Sequence, residues 1–143
     1  MTEIVNGPIE NERINVILDE WSLKTRAGAH SIFLGRIRAD ELSDGSTVLG
    51  IEYSCHEALA KETLKDICHQ AIEKFTLIDA IILHSKGFVK TGALSLFVLT
   101  AAIHRKQTFE ALYFMVEEIK QNAPFWKKEI GEAGRKHWVR DQK

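Results

Sequence analysis

The chain has few of the residues that form disulfide frameworks or interrupt regular structure. It contains two cysteines and two prolines in 143 residues. Two cysteines are too few for a disulfide framework, and neither belongs to a CxxC pair. A histidine follows each of them, Cys55 and Cys68, but no second pair lies at ligand spacing, so no zinc site is expected. Cys68 falls on the apolar face of a predicted helix, where a free cysteine packs as a small hydrophobic residue.

Long hydrophobic runs are also missing. No apolar stretch approaches the roughly 20 residues that a membrane helix needs. The first residues are acidic and polar, unlike a signal peptide. We therefore expect a cytoplasmic protein. Its length, without a linker or repeat, predicts a single domain over residues 1–143.

The charge is distributed unevenly along the chain. The net charge is −1, yet residues 120–143 contain seven basic and three acidic side chains. A basic terminal segment attracts an anion, which could be a nucleic acid, a phosphorylated small molecule or the carboxylate of a partner.

The hydrophobic pattern predicts an α+β fold with three helices and a mostly antiparallel sheet. The third helix is expected to bury Phe109, Leu112, Val116 and Ile119. The two most apolar strands offer sheet surface to cover, from which we expect a homodimer. The predicted helices span about 11–25, 56–75 and 106–121. The predicted strands span 2–5, 28–38, 47–53, 78–84 and 93–100, with a last strand around 137–139. Residues 88–90 can also pair with a strand, and residues 131–134 are predicted to form a loop.

Two short stretches carry cations that suit a phosphate. Arg36 and Arg38 are two residues apart on a predicted strand and so share a face, where two guanidinium groups could bind one anion. A solvated sheet face explains the arginines more simply. His104 and Arg105 precede the third helix, whose N-terminus is a ready anion site. A surface loop that happens to be cationic explains this second stretch equally well.

A third stretch, residues 120–129, combines lysines with a rigid apolar segment. Lys120 ends the third helix, where a cation stabilises the negative end of the helix dipole. Pro124, Phe125 and Trp126 separate Lys120 from Lys127. Such a segment can wall a pocket in which a partly desolvated lysine takes part in catalysis.

In order and spacing, these stretches resemble the large subunit of molybdopterin synthase, the MoaE family, over nearly the whole chain. The sequence APFWKKE at 123–129 is the most specific match. The other matches are Gly28-Ala29, residues 33–38, Glu52-Tyr53, His84, Gly87, Gly92, His104-Arg105, residues 109–111 and Trp138-Val139.

The resemblance implies an α/β-hammerhead fold and a sulfurtransferase that needs no cofactor. The family's large subunit forms a homodimer within a heterotetramer, in which each copy takes up a small ubiquitin-like sulfur carrier. The carrier's C-terminal Gly-Gly thiocarboxylate enters a pocket and gives its sulfur to cyclic pyranopterin monophosphate. The product is the dithiolene of molybdopterin, in molybdenum cofactor biosynthesis.

The resemblance also assigns roles to residues. Lys120 and Lys127 look like the family's catalytic lysines. The neighbouring protomer also lines the family's pocket. The substrate-binding residues by resemblance are Arg38, His104 and Arg105 at the anion site, with Phe33 and Arg36.

Two positions depart from the family's usual pattern. Ser85 stands where arginine usually follows the histidine, and residues 56–59 replace an aromatic-Pro-Gly-Met loop. Without that arginine, a contact with the substrate or the partner is expected to be lost. A non-catalytic scaffold that binds a partner is therefore an alternative function. Weaker alternatives are an RNA-binding module on the basic tail with Trp126, and a hydrolase that uses Cys55 or Cys68.

Overall fold

A computed structural model describes residues 1–132 and 136–139. Part of the predicted 131–134 loop and the basic residues Arg135, Arg140 and Lys143 lie outside the described residues. The elements in chain order are β1 (Thr2–Asn6), α1 (Asn11–Trp21), β2 (Ala29–Arg36), β3 (Val48–Cys55), α2 (Glu57–Phe75), β4 (Asp79–Lys90), β5 (Leu94–Ala102), α3 (Arg105–Asn122), β6 (Phe125–Gly131) and β7 (Lys136–Val139).

The strands form a mostly antiparallel sheet, which confirms the predicted α+β class. Their order is β2-β5-β4-β3-β6-β7, and β1 pairs with β4 in parallel. The first part of β4 lies between β5 and β1, whereas its last residues, from Gly87 to Lys90, pair with β3. The segments predicted at 78–84 and 88–90 therefore belong to one strand, which begins at Asp79. Gly87, with a φ of 85°, lies where β4 passes from one set of partners to the other.

Helices cover both faces of the central strands. Alternate residues of β5 face opposite ways, so Leu96 and Val98 pack against α2 and α3 while Phe97 and Leu99 pack with α1. The apolar strands 78–84 and 93–100 are thus covered within the chain. Our reason for expecting a dimer, that these strands leave open sheet surface, was wrong.

The third helix buries the predicted stripe except at Phe109. Phe109 is 60% exposed, and Tyr113, one turn later, is also exposed. Thr108, Ala111 and Met115 are buried instead. The helix lies close to β2, where the Ser31 hydroxyl donates to Thr108 Oγ1 at 2.6 Å, and small or polar residues fit that contact better than an aromatic ring. Val116 and Ile119 are buried as predicted, and Leu112 is partly buried.

The predicted stripe of α2 is buried, with Cys68 beside it, and only Phe75 at its end remains partly exposed. In the described part of the chain, no helix is long and apolar enough to cross a membrane.

Ser85 is fully buried on β4, opposite Val5 of β1. It does not line the cavity described below. Its hydroxyl has no hydrogen-bond partner among the described residues. A buried hydroxyl without a partner keeps the cost of its desolvation, which is about 1–3 kcal/mol.

We predict that Ser85→Ala raises the free energy of unfolding by about 1 kcal/mol, because it removes that uncompensated hydroxyl. Urea unfolding at one fixed protein concentration measures the change. Ser31→Ala is the matched control: it removes a buried hydroxyl that is bonded to Thr108, so we expect it to lower stability by about 1 kcal/mol. A loss of stability in Ser85→Ala would contradict the prediction.

Candidate active site

A cavity of about 460 Å³ opens where the end of β2, the strands β3 and β6, and the C-terminal end of α3 meet. All of these elements contribute side chains to its wall. The lining residues are Gly35, Arg36, Ile37, Arg38, Asp40, Val48, Ile51, Tyr53, His84, Ser95, Leu96, Ile119, Lys120, Ala123, Phe125, Lys127, Glu129 and Val139.

Lys120 and Lys127 both line this cavity because the chain turns sharply between them. The helix α3 ends at Asn122 and β6 begins at Phe125. The Ala123 N–H donates to the Ile119 carbonyl at 3.1 Å, which closes the helix. The ring of Pro124 cannot continue the helical hydrogen bonds. On β6, Lys127 lies directly opposite Tyr53 of β3.

The two arginines reach the cavity from the end of β2. Arg36 Nη1 donates to the Gly92 carbonyl at 2.8 Å. Arg38 lies beyond the last residue of the strand and pairs with Asp40 at 3.1 Å. The two side chains therefore meet at one cavity, although the strand ends before Arg38 and strand alternation alone does not place it. An exposed pair such as Arg38–Asp40 is weak and can be exchanged for an anionic ligand.

Cationic groups outnumber carboxylates around the cavity. Four cationic side chains, those of Arg36, Arg38, Lys120 and Lys127, face two carboxylates, Asp40 and Glu129. Clefts lined mainly by one sign of charge attract ligands of the opposite sign. The cavity is therefore suited to an anionic ligand.

Three buried residues of the cavity wall were not predicted as site residues. Tyr53, His84 and Ser95 are buried there, and the Tyr53 hydroxyl donates to Ser95 Oγ at 3.1 Å. His84 follows a run of apolar residues in the sequence. A polar imidazole at the end of such a run is the feature from which His84 could have been predicted as a site residue. Glu129 shares a face of β6 with Lys127, and strand alternation would have indicated it.

His104 and Arg105 do not line the cavity of their own chain. They lie at the start of α3, and the 15 residues from Arg105 to Lys120 span roughly 22 Å of helix. That His104 and Arg105 form one site with the lysines remains a prediction. Over this distance, such a site needs His104 and Arg105 from a second chain. Phe33 borders the cavity indirectly: its ring lies 3.2 Å from where a Cβ on Gly35 would be.

The cysteines offer no comparable site. Cys68 is buried, and burial raises the pKa of its thiol to about 11. Burial likewise raises the pKa of the Cys55 thiol. The adjacent His56 caps α2, since its Nδ1 accepts from the Leu59 N–H at 3.3 Å. Among residues 1–132 and 136–139, no cluster of potential metal ligands was found.

A cationic cavity with one lysine at a helix end and a second on the following strand is suited to an enzyme that handles an anionic substrate. The family model for MoaE proteins matches residues 6–122. The chain belongs to the MoaE family.

Individual relatives agree with this assignment. The chain is 34% identical over 140 residues to the molybdopterin synthase catalytic subunit of Bacillus subtilis (strain 168), covering 98% of this chain and 85% of the relative. It superposes on molybdopterin synthase from Staphylococcus aureus with a TM-score of 0.82 and 29% identity, covering 96% of each chain. A complex of subunits 1 and 2 of molybdopterin-converting factor from Helicobacter pylori 26695 has the same fold, with a TM-score of 0.82 and 22% identity over 99% of this chain and 91% of that one.

Proposed function

We propose that this chain is the catalytic subunit of a molybdopterin synthase. It takes one sulfur from the C-terminal thiocarboxylate of each of two small ubiquitin-like carriers and transfers both to cyclic pyranopterin monophosphate. A dithiolene forms, and hydrolysis leaves each carrier with a terminal carboxylate. The observation that carries the proposal is the convergence of Lys120, Lys127, Arg36 and Arg38 on one cavity in a chain of this family. The two free cysteines are compatible with a reducing compartment such as the cytoplasm.

The reaction needs groups of the kind that the cavity supplies. A thiocarboxylate is already anionic, so its sulfur attacks without a strong base. During sulfur transfer an oxygen atom gains negative charge, and it needs a cation or a proton donor nearby. The ammonium groups of the two lysines can act as either. The substrate's cyclic phosphate needs fixed cations, and the arginines supply those. Lys120 and Lys127 are therefore assigned to catalysis, and Arg36 and Arg38 to substrate binding.

A second copy of the chain supplies His104 and Arg105. The start of α3 is too far from Lys120 for both to reach one small substrate within a single chain. A site that uses all of these residues is shared between protomers, as the family resemblance implies. Phe33, beside Gly35, belongs to the same substrate site.

The surface near β2 is suited to this contact. Within the described sheet β2 is an edge strand, and its residues Ile32 and Leu34 are exposed. Phe109 and Tyr113 of α3 are exposed too. Apolar groups beside an open strand edge favour association. Two β2 strands that pair antiparallel about a two-fold axis place the start of one strand beside the end of the other, and so bring His104 and Arg105 of one copy towards the cavity of its partner.

We predict that Lys120→Ala nearly abolishes sulfur transfer. The chain is incubated with a thiocarboxylated carrier and cyclic pyranopterin monophosphate, and the dithiolene product is measured. The fold should persist, because a lysine at a helix end contributes only about 0.3–1 kcal/mol. Lys120→Arg keeps the charge but stays protonated near neutral pH. Much activity in the arginine variant indicates a fixed charge, whereas an inactive variant indicates proton transfer or an adduct.

Lys128→Ala is the matched control for this assay. Lys128 is absent from the cavity and lies over the Trp138 ring, with Nζ 4.4 Å from its centroid. We expect activity close to that of the parental chain. If Lys120→Ala turns over at the parental rate, the lysine only caps its helix. If the parental chain itself forms no dithiolene product, the proposed function is contradicted.

A complementation experiment tests the shared site. Arg38→Ala and Arg105→Ala should each weaken pterin binding by about 1.5–3 kcal/mol, roughly ten- to a hundred-fold, more than carrier binding. When the two variants are co-expressed, one site of each mixed dimer has both arginines, so activity should return to about a quarter of the parental level.

Arg38→Ala co-expressed with Lys120→Ala is the control for complementation. Both of these residues line the cavity of one chain, so no mixed dimer has an intact site and no activity should return. The shared site would be contradicted if the chain sediments as a monomer at micromolar concentration. It would also be contradicted if co-expression of Arg38→Ala with Arg105→Ala restores no activity.

A further inference from the structure

His84 is a buried histidine at the cavity to which the proposed chemistry assigns no task. It lies on β4 and is 5% exposed. Its Nδ1 is 2.8 Å from the carbonyl oxygen of Ser85. A carbonyl oxygen only accepts hydrogen bonds, so Nδ1 carries the hydrogen in this contact. The hydrogen bond holds the ring in a defined orientation.

Two aromatic residues contact this ring. Phe125 stacks flat against it, with the centroids 3.6 Å apart and the planes inclined by 10°. Tyr53 is perpendicular to it, at 5.4 Å and 90°. Aromatic contacts favour particular arrangements of rings, so a flat ring at position 84 restrains both neighbours.

Phe125 and Tyr53 are the residues through which His84 can act on the lysines. Phe125 is the first residue of β6, five residues after Lys120 and two before Lys127. Phe125 and Lys127 lie on the same face of the strand, and Tyr53 lies opposite Lys127 on β3. The ring of His84 thus contacts Phe125, which lies between the two lysines in the sequence, and Tyr53, which lies opposite Lys127.

We propose that His84 is a positioning residue for the two lysines. Its ring holds Phe125 in place and thereby sets the distance and direction between Lys120 and Lys127 across the cavity. The shape of the ring does this, and proton transfer by the imidazole is not required. The inference rests on the proposed function, because that function assigns the lysines to catalysis.

The test compares two substitutions that both fill the space and both remove the imidazole. His84→Phe keeps a flat ring for Phe125, whereas His84→Leu does not. We expect His84→Leu to lower kcat for sulfur transfer about ten- to a hundred-fold, the effect of misplacing a reacting group by about 1 Å. KM should change little, since substrate binding uses the arginines. His84→Phe should retain most of the parental kcat.

Phe114→Ala is the control for general loosening of the core. Phe114 packs against Phe75 between α3 and α2, with the centroids 5.6 Å apart, and does not line the cavity. We expect its kcat to stay near the parental value at a temperature where the variant is folded. The proposal is overturned if His84→Phe loses as much kcat as His84→Leu, if His84→Leu is unaffected, or if Phe114→Ala is equally impaired.

A second measurement is independent of activity. Brief labelling with acetic anhydride, read by mass spectrometry, gives the reactivity of Lys127 relative to Lys128, which projects to the other face of β6. The ratio should change several-fold in His84→Leu and stay unchanged in His84→Phe. An inactive parental chain with this labelling pattern contradicts the proposed function alone. An active parental chain with equal ratios in both variants contradicts the positioning role alone.

Discussion

The connection between α3 and β6 is two residues long, and the arrangement of the cavity depends on it. Pro124 ends the helical hydrogen bonding, and Phe125 immediately begins a strand. A helix end and a strand start are thereby held side by side, with one lysine on each. A longer connection would let them move independently, and the loss of conformational entropy on bringing them together would then fall on the binding of the ligand.

Packing elsewhere in the chain supports this arrangement. The end of α3 is anchored by Ile119, which belongs to the core between the helices and the sheet. The strand β6 is anchored by its pairing with β3, and β3 in turn pairs with the last residues of β4. The backbone segments that carry Lys120 and Lys127 are therefore fixed before a ligand arrives, so little backbone reorganisation is needed when charge develops in the reaction.

Local patterns predicted the elements of the fold well, because helix and strand periodicity and Pro124 act over a few residues. Long-range facts were harder to predict. Phe109 fits the helical period of the buried stripe, but the close approach of α3 to β2 rotates that stripe towards Thr108. Charge and position indicated the three stretches that contain the predicted site residues, whereas the roles of those residues came from resemblance. The predicted helix over 106–121 already separates Arg105 from Lys120, whereas only the sheet register places Tyr53 against Lys127.

The proposed function depends on the two lysines on either side of the short connection, which receive the carrier's terminal group. A crystal structure of this chain with a peptide ending in a Gly-Gly thiocarboxylate tests it most directly. We predict that the terminal group lies in the cavity, within hydrogen-bonding distance of the ammonium groups of Lys120 and Lys127. A peptide bound with its terminal group away from both lysines would contradict it.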